Sequence, residues 1–68
     1  MQARLSDGAV RAKRLQAGLN QEEFAKKSDL STIFISRVER GKESPTIDSL
    51  SKIASALKVR VRDLVAQF

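Results

Sequence analysis

Gly8, Gly18, Gly41 and Pro45 divide the chain into short periods of apolar and polar residues, and everything between them reads as helix. A first helix is expected from about Asp7 to Ala17, with Ser6 or Asp7 as its start signal and Gly18 at the left-handed position that closes a helix. Asn20 and Glu23 have the spacing of a capping box, and Phe24 and Ala25 follow as inward residues, so a second helix is predicted from about Gln21 to Lys27. Ser28-Asp29-Leu30 is a tight corner. Beyond it Ser31 caps a third helix that runs to Arg40 and is closed by Gly41. Pro45 and Thr46 form a stop followed by a cap, with Asp48 in the first turn where the helix dipole favours negative charge. Ile47, Leu50, Ile53, Ala54 and Leu57 then make one apolar stripe, the fourth helix. After the break at Lys58-Val59-Arg60, the spacing of Val61, Leu64, Val65 and Phe68 predicts a short fifth helix.

Composition narrows what such a bundle does. At 68 residues the chain is expected to be one small domain, residues 1–68, with a single core and no second sensing module. It has no Cys and no His, which removes disulfides, thiol nucleophiles and the commonest general base and metal ligand. The expectation is a protein that is not an enzyme and needs no metal or cofactor. Its apolar runs fall far short of the ~20 residues of a membrane span, and Met1 to Val10 carries no apolar signal core. A soluble, cytoplasmic chain with no membrane partner is therefore expected. Thirteen Lys and Arg against eight Asp and Glu give a net charge of +5, which favours a polyanionic partner, nucleic acid first.

The third helix makes that partner specific. At 100° per residue, Phe34, Ile35, Val38 and Glu39 fall on one side and Thr32, Ile33, Ser36, Arg37 and Arg40 on the other. The second face has hydroxyls, a branched aliphatic side chain and two guanidiniums, with no acid. Arg is bidentate to guanine O6 and N7, Ser and Thr meet several base edges, and Ile packs on a thymine methyl. Two short helices around a three-residue corner, residues 21–40, form the helix-turn-helix arrangement, whose second helix enters the major groove.

The run from Val10 to Gln21, then Phe24-Ala25-Lys26-Lys27, Ile35 to Lys42, Pro45 and Ile53 to Leu57, resembles the Xre/Cro/C1-type helix-turn-helix family. That family includes small lambdoid phage repressors and the controller proteins of restriction-modification systems. The likeness covers about residues 10–65, and its most specific elements are Gly18-Leu19-Asn20-Gln21 and Ser36-Arg37-Val38-Glu39-Arg40-Gly41-Lys42. It implies an all-α, five-helix, lambda repressor-like domain. It also implies base reading by Thr32, Ile33, Ser36 and Arg37, and a phosphate grip by Asn20 and Gln21 at the start of helix two. Phe34 stands at the groove edge, and Arg40, Lys42 and the backbone amides from Gly41 to Thr46 form a second phosphate clamp. Lys13 and Lys26 are either further phosphate contacts or solvated charges.

Arg14 stands four residues after Val10 on the core side of helix one, where a lone charge is costly. Glu39 is inward on helix three, and the family pattern pairs these positions, so a structural Arg14–Glu39 ion pair is expected. The sequence departs from the family habit at three places: Asp29 and Lys58 where Gly is usual, and Arg60 where Ser or Thr usually caps the last helix. Leu64, Val65 and Phe68 are either the dimer contact usual in the family or monomer core.

The function implied is a transcription regulator of a bacterium, phage or mobile element. It would bind a pseudo-palindromic double-stranded operator as a homodimer, in the manner of a self-regulating controller protein. No small-molecule effector is expected. The alternative is an antitoxin or other protein-interaction module with secondary DNA binding.

Overall fold

The computed structural model describes residues 4–6 and 8–67. Four helices, α1 (Ala9–Gln16), α2 (Gln21–Ser28), α3 (Thr32–Glu39) and α4 (Ile47–Leu57), are followed by a single 3-10 turn at Val61–Asp63. Two short strands, β1 (Arg4–Leu5) and β2 (Val65–Gln67), pair antiparallel with an irregular register and bring the two ends of the chain together.

Each of the three later helices starts on the cap its sequence offers. Asn20 Oδ1 accepts from the Glu23 amide at 2.7 Å while Glu23 Oε1 accepts from the Asn20 amide at 2.9 Å, completing the capping box. Ser31 Oγ accepts from the Phe34 amide at 3.0 Å, and Thr46 Oγ1 from the Ser49 amide at 3.2 Å. The start of α1 differs from expectation. It begins at Ala9 behind Gly8 in a left-handed conformation with no side-chain cap, and the Ser6 carbonyl accepts from the Ala9 amide. Asp7, the other expected start signal, lies outside the described residues.

The expected fifth helix is replaced by the 3-10 turn and β2. Asp63 Oδ2 accepts from the Arg60 amide at 2.9 Å, and the Leu64 amide donates to the Val61 carbonyl at 2.9 Å, which closes the turn. A 3-10 turn brings i and i+3 together as a helix does, so the Val61-to-Leu64 spacing fits both. The segment is short, and helix nucleation is costly with β-branched residues such as Val61 and Val65. Pairing with β1, extended by the Ser6 amide bonding the Leu64 carbonyl at 2.9 Å, satisfies its backbone instead.

The helices close around Val10, Phe24, Ala25, Ile35, Val38, Leu50, Ile53, Ala54, Leu57 and Leu64. Burying each larger side chain contributes about 1.5–3 kcal/mol. Ser28 is also buried, its hydroxyl donating to the Phe24 carbonyl at 2.8 Å. All four helices end in the same manner. An amide two or three residues past the last helical residue bonds back to a carbonyl five residues earlier, as Leu19 does to Arg14, Leu30 to Ala25, Lys42 to Arg37 and Val59 to Ala54.

That closure needs a left-handed residue, and Gly18 and Gly41 supply it without strain, whereas Asp29 (φ 58°) and Lys58 (φ 57°) carry a Cβ. Lys58→Gly is expected to stabilise the fold by about 0.5–1 kcal/mol, because relief of the left-handed strain exceeds the added freedom of the unfolded chain. Asp29→Gly should gain less, since Asp tolerates this conformation better. Urea unfolding of the two variants checks the order; no gain at Lys58 would contradict it.

Candidate nucleic-acid interface

The α2–α3 corner fixes how α3 is presented. Ile35 and Val38 are 0% and 4% exposed, whereas Ile33, two residues before Ile35, is 71% exposed. Thr32 and Arg37 are exposed with Ile33, and Ser36 is half-buried beside them, so these four side chains share the outward surface of one helix. Arg37 makes no ion pair among the described residues. Its guanidinium donates no hydrogen bond among the described residues, which leaves it for an external acceptor. An aliphatic side chain, two hydroxyls and a guanidinium on a rigid helix match the edges of a major groove.

The groups that the sequence offers for holding phosphate flank this surface, but fewer of them are free than expected. At the start of α2 the capping box occupies the amides of Asn20 and Glu23, and Glu22 and Glu23 add two carboxylates to the first turn. Among the described residues the backbone amides of Gln21 and Glu22 and the Asn20 side-chain NH2 have no partner and are left for an anion. The Gln21 side chain is turned inward, Nε2 donating to Glu39 Oε1 at 3.1 Å. The Phe34 amide is spent on Ser31, and its ring packs half-buried against the core, so only the remaining ring surface reaches the groove edge.

In the α3–α4 loop the amides of Gly41 and Lys42 close α3 by bonding the carbonyls of Val38 and Arg37. Among the described residues the amides of Glu43, Ser44 and Thr46 have no such partner, which narrows the clamp to these three. Arg40 and Lys42 are exposed beside them, and Thr46 caps α4 at the same place. Lys13 is half-buried on α1 and Lys26 exposed on α2, away from any ion pair among the described residues.

Beneath the interface Arg14 and Glu39 meet side by side. Arg14 Nε donates to Glu39 Oε2 at 2.6 Å and Nη2 to Oε1 at 3.1 Å, with the two side chains 9% and 3% exposed. Arg14 Nη1 donates to the Leu19 carbonyl at 2.9 Å, so the guanidinium ties α1, the approach to α2 and the end of α3. This pair is buried by the fold and is not offered to a ligand.

Of the residues read as dimer contact or core, Leu64 is wholly buried within the monomer. Its side chain has no surface to give a partner. Val65 is half-buried in β2, and Phe68 lies outside the described residues. The inward turn of Gln21 and the buried hydroxyl of Ser28 were not foreseen. Gln21 and Glu39 stand 18 positions apart with no shared periodicity to link them, whereas a serine at the end of a helix beside Phe24 and Ala25 does signal bonding to the preceding turn.

A helix-turn-helix family profile matches residues 10–64. An uncharacterised helix-turn-helix transcriptional regulator of Mycobacterium tuberculosis is 40% identical over 50 residues, 74% of this chain and 36% of that protein. Control protein C.BamHI of Bacillus amyloliquefaciens is 39% identical over 57 residues, 82% of this chain and 70% of its own length. Among solved structures, the restriction-modification controller protein C.AhdI of Aeromonas hydrophila superposes with a TM-score of 0.81 at 32% identity. That match covers 84% of this chain and 86% of the controller protein. The chain thus spans about a third of the mycobacterial regulator and most of the two controller proteins. Among the described residues no helix is long and apolar enough to cross a membrane.

Proposed function

Because the chain belongs to the helix-turn-helix family of Xre/Cro/C1 type, we propose that it is a sequence-specific DNA-binding transcription regulator of the controller-protein kind. The observation that carries this reading is the outward surface of α3. Thr32, Ile33, Ser36 and Arg37 stand there on a helix anchored by Ile35 and Val38, with free amides on both flanks. Thr32, Ile33, Ser36 and Arg37 read base edges. Asn20, the amides of Gln21 and Glu22, Arg40, Lys42 and the amides of Glu43, Ser44 and Thr46 hold phosphates and set the register.

Two copies bind a pseudo-palindromic operator, their α3 helices separated by about 34 Å so that each meets a successive major groove on one side of the duplex. Occupancy follows protein concentration and dimerisation, with no small-molecule effector, and the chain works on cytoplasmic DNA. Val65 and Phe68 remain as candidates for the two-fold contact.

Selection of bound duplexes from a random-sequence library by the purified chain tests this reading. A recurrent two-fold symmetric sequence is expected. Absence of any enriched sequence, with a second protein copurifying from the native host, would instead favour the antitoxin-like alternative.

A further inference from the structure

Gln21 begins α2, beside the groups proposed to grip phosphate, yet its side-chain NH2 turns one N–H to Glu39, the last residue of α3. The Glu39 carboxylate therefore accepts three hydrogen bonds, two from Arg14 and one from Gln21. Arg14 alone holds the charge. What Gln21 adds is a direct tie between the start of α2 and the end of the reading helix, close to Arg40 and Lys42 where the second phosphate clamp begins.

The α2 and α3 helices already share the corner at Ser28-Asp29-Leu30, which holds the end of α2 against the start of α3. The Gln21–Glu39 bond closes the opposite ends of the same pair. With both ends joined, α3 keeps its roll and tilt relative to the phosphate-gripping start of α2. A bidentate Arg–guanine contact depends on that orientation, because its two hydrogen bonds are lost together when the guanidinium plane is tilted. Phosphate contacts tolerate such a change, since charge attraction is weakly directional.

We infer that Gln21 is a positioning residue for base discrimination, acting through the carboxylate of Glu39 rather than chiefly as a phosphate ligand. This rests on the DNA-reading function proposed above. It separates two roles that a contact to phosphate alone would merge. A phosphate ligand at Gln21 would strengthen binding to every sequence alike, whereas a brace on α3 affects the preferred sequence only.

The test compares wild type, Gln21→Met and Gln21→Lys. The probes are the duplex enriched from the random library and a scrambled duplex of the same length and composition. Met keeps the bulk of Gln and the backbone amide proposed to face phosphate, and removes only the side-chain donor; Lys restores an N–H donor toward Glu39. For Gln21→Met the affinity for the enriched duplex should fall about tenfold, the lower range of one base contact, with scrambled-duplex affinity unchanged. Binding to the scrambled duplex doubles as the control for folding. Gln21→Lys should recover the ratio of the two affinities, although the added charge tightens both. A parallel loss on both duplexes, no loss on either, or a ratio that Lys fails to restore would overturn the inference. If the wild type itself prefers no sequence, the DNA-reading function fails first and this role with it.

Discussion

Glu39→Ala is expected to destabilise the domain by about 3–5 kcal/mol, the cost of leaving one partner of a buried ion pair without the other. Arg14 would keep a hydrogen bond to the Leu19 carbonyl, but its guanidinium, 9% exposed at the side chain, would have no counter-charge. A chain of this size has a total stability on the order of 3–10 kcal/mol. The variant should therefore sit close to unfolding, with its melting temperature lowered by more than about 10 °C. The other ion pair of the described residues sets the contrast. Lys52 Nζ is 3.9 Å from Asp29 Oδ2, with the Lys52 side chain half exposed and that of Asp29 almost fully so, and Lys52→Ala should change stability by no more than about 0.5 kcal/mol. Thermal melts followed by circular dichroism check both. A Glu39→Ala melt within a few degrees of wild type would show that the pair does not hold the fold.

Arg37→Ala and Lys42→Ala are expected to weaken DNA binding in two distinguishable ways. Arg37 stands on the outward surface of α3, proposed to read bases, with no ion pair among the described residues, so its removal should cost about 1–3 kcal/mol per half-site on the preferred sequence. In the proposed dimer two half-sites double the loss, while binding to unrelated sequences changes far less. Lys42 is exposed past the end of α3, where the proposed contact is to phosphate rather than base. Its loss should weaken all sequences alike and reduce the slope of log affinity against log salt by about one per contact, about two per dimer. Titrations on the enriched and scrambled duplexes over a range of salt separate the two. If Arg37→Ala lowered both affinities equally, α3 would not be the reading helix.

Where structure was legible in the sequence, a local signal stood close to the feature it specified. Asn20 with Glu23, Ser31 and Thr46 mark helix starts within three residues, and the structure uses each as a cap. The Ile47-to-Leu57 stripe likewise gave α4, because all its information lies within one helix. The C-terminal segment misled for the opposite reason. Its pairing partner is at the other end of the chain, and i, i+3 spacing does not separate a 3-10 turn from a helix.

The candidate site divides along the same line. Helical periodicity sorts Thr32, Ile33 and Arg37 outward and Ile35 and Val38 inward, so the outward surface of α3 was visible from that helix alone. The free amides of the proposed phosphate clamp were visible only in outline. Which amides remain free depends on the closure of α3, which consumes those of Gly41 and Lys42. Whether Gln21 faces solvent or Glu39 depends on how α2 and α3 pack, and Leu64 belonged to core or contact only once the terminal turn was placed.

Hydroxyl-radical footprinting of the wild-type chain on the DNA upstream of its own gene tests the central claim most directly, that α3 reads a major groove from each half of a two-fold dimer. The expected result is a symmetric site, with protected patches on one side of the duplex about one helical turn, 34 Å, apart. A single asymmetric patch, or uniform protection with no boundary, would contradict it.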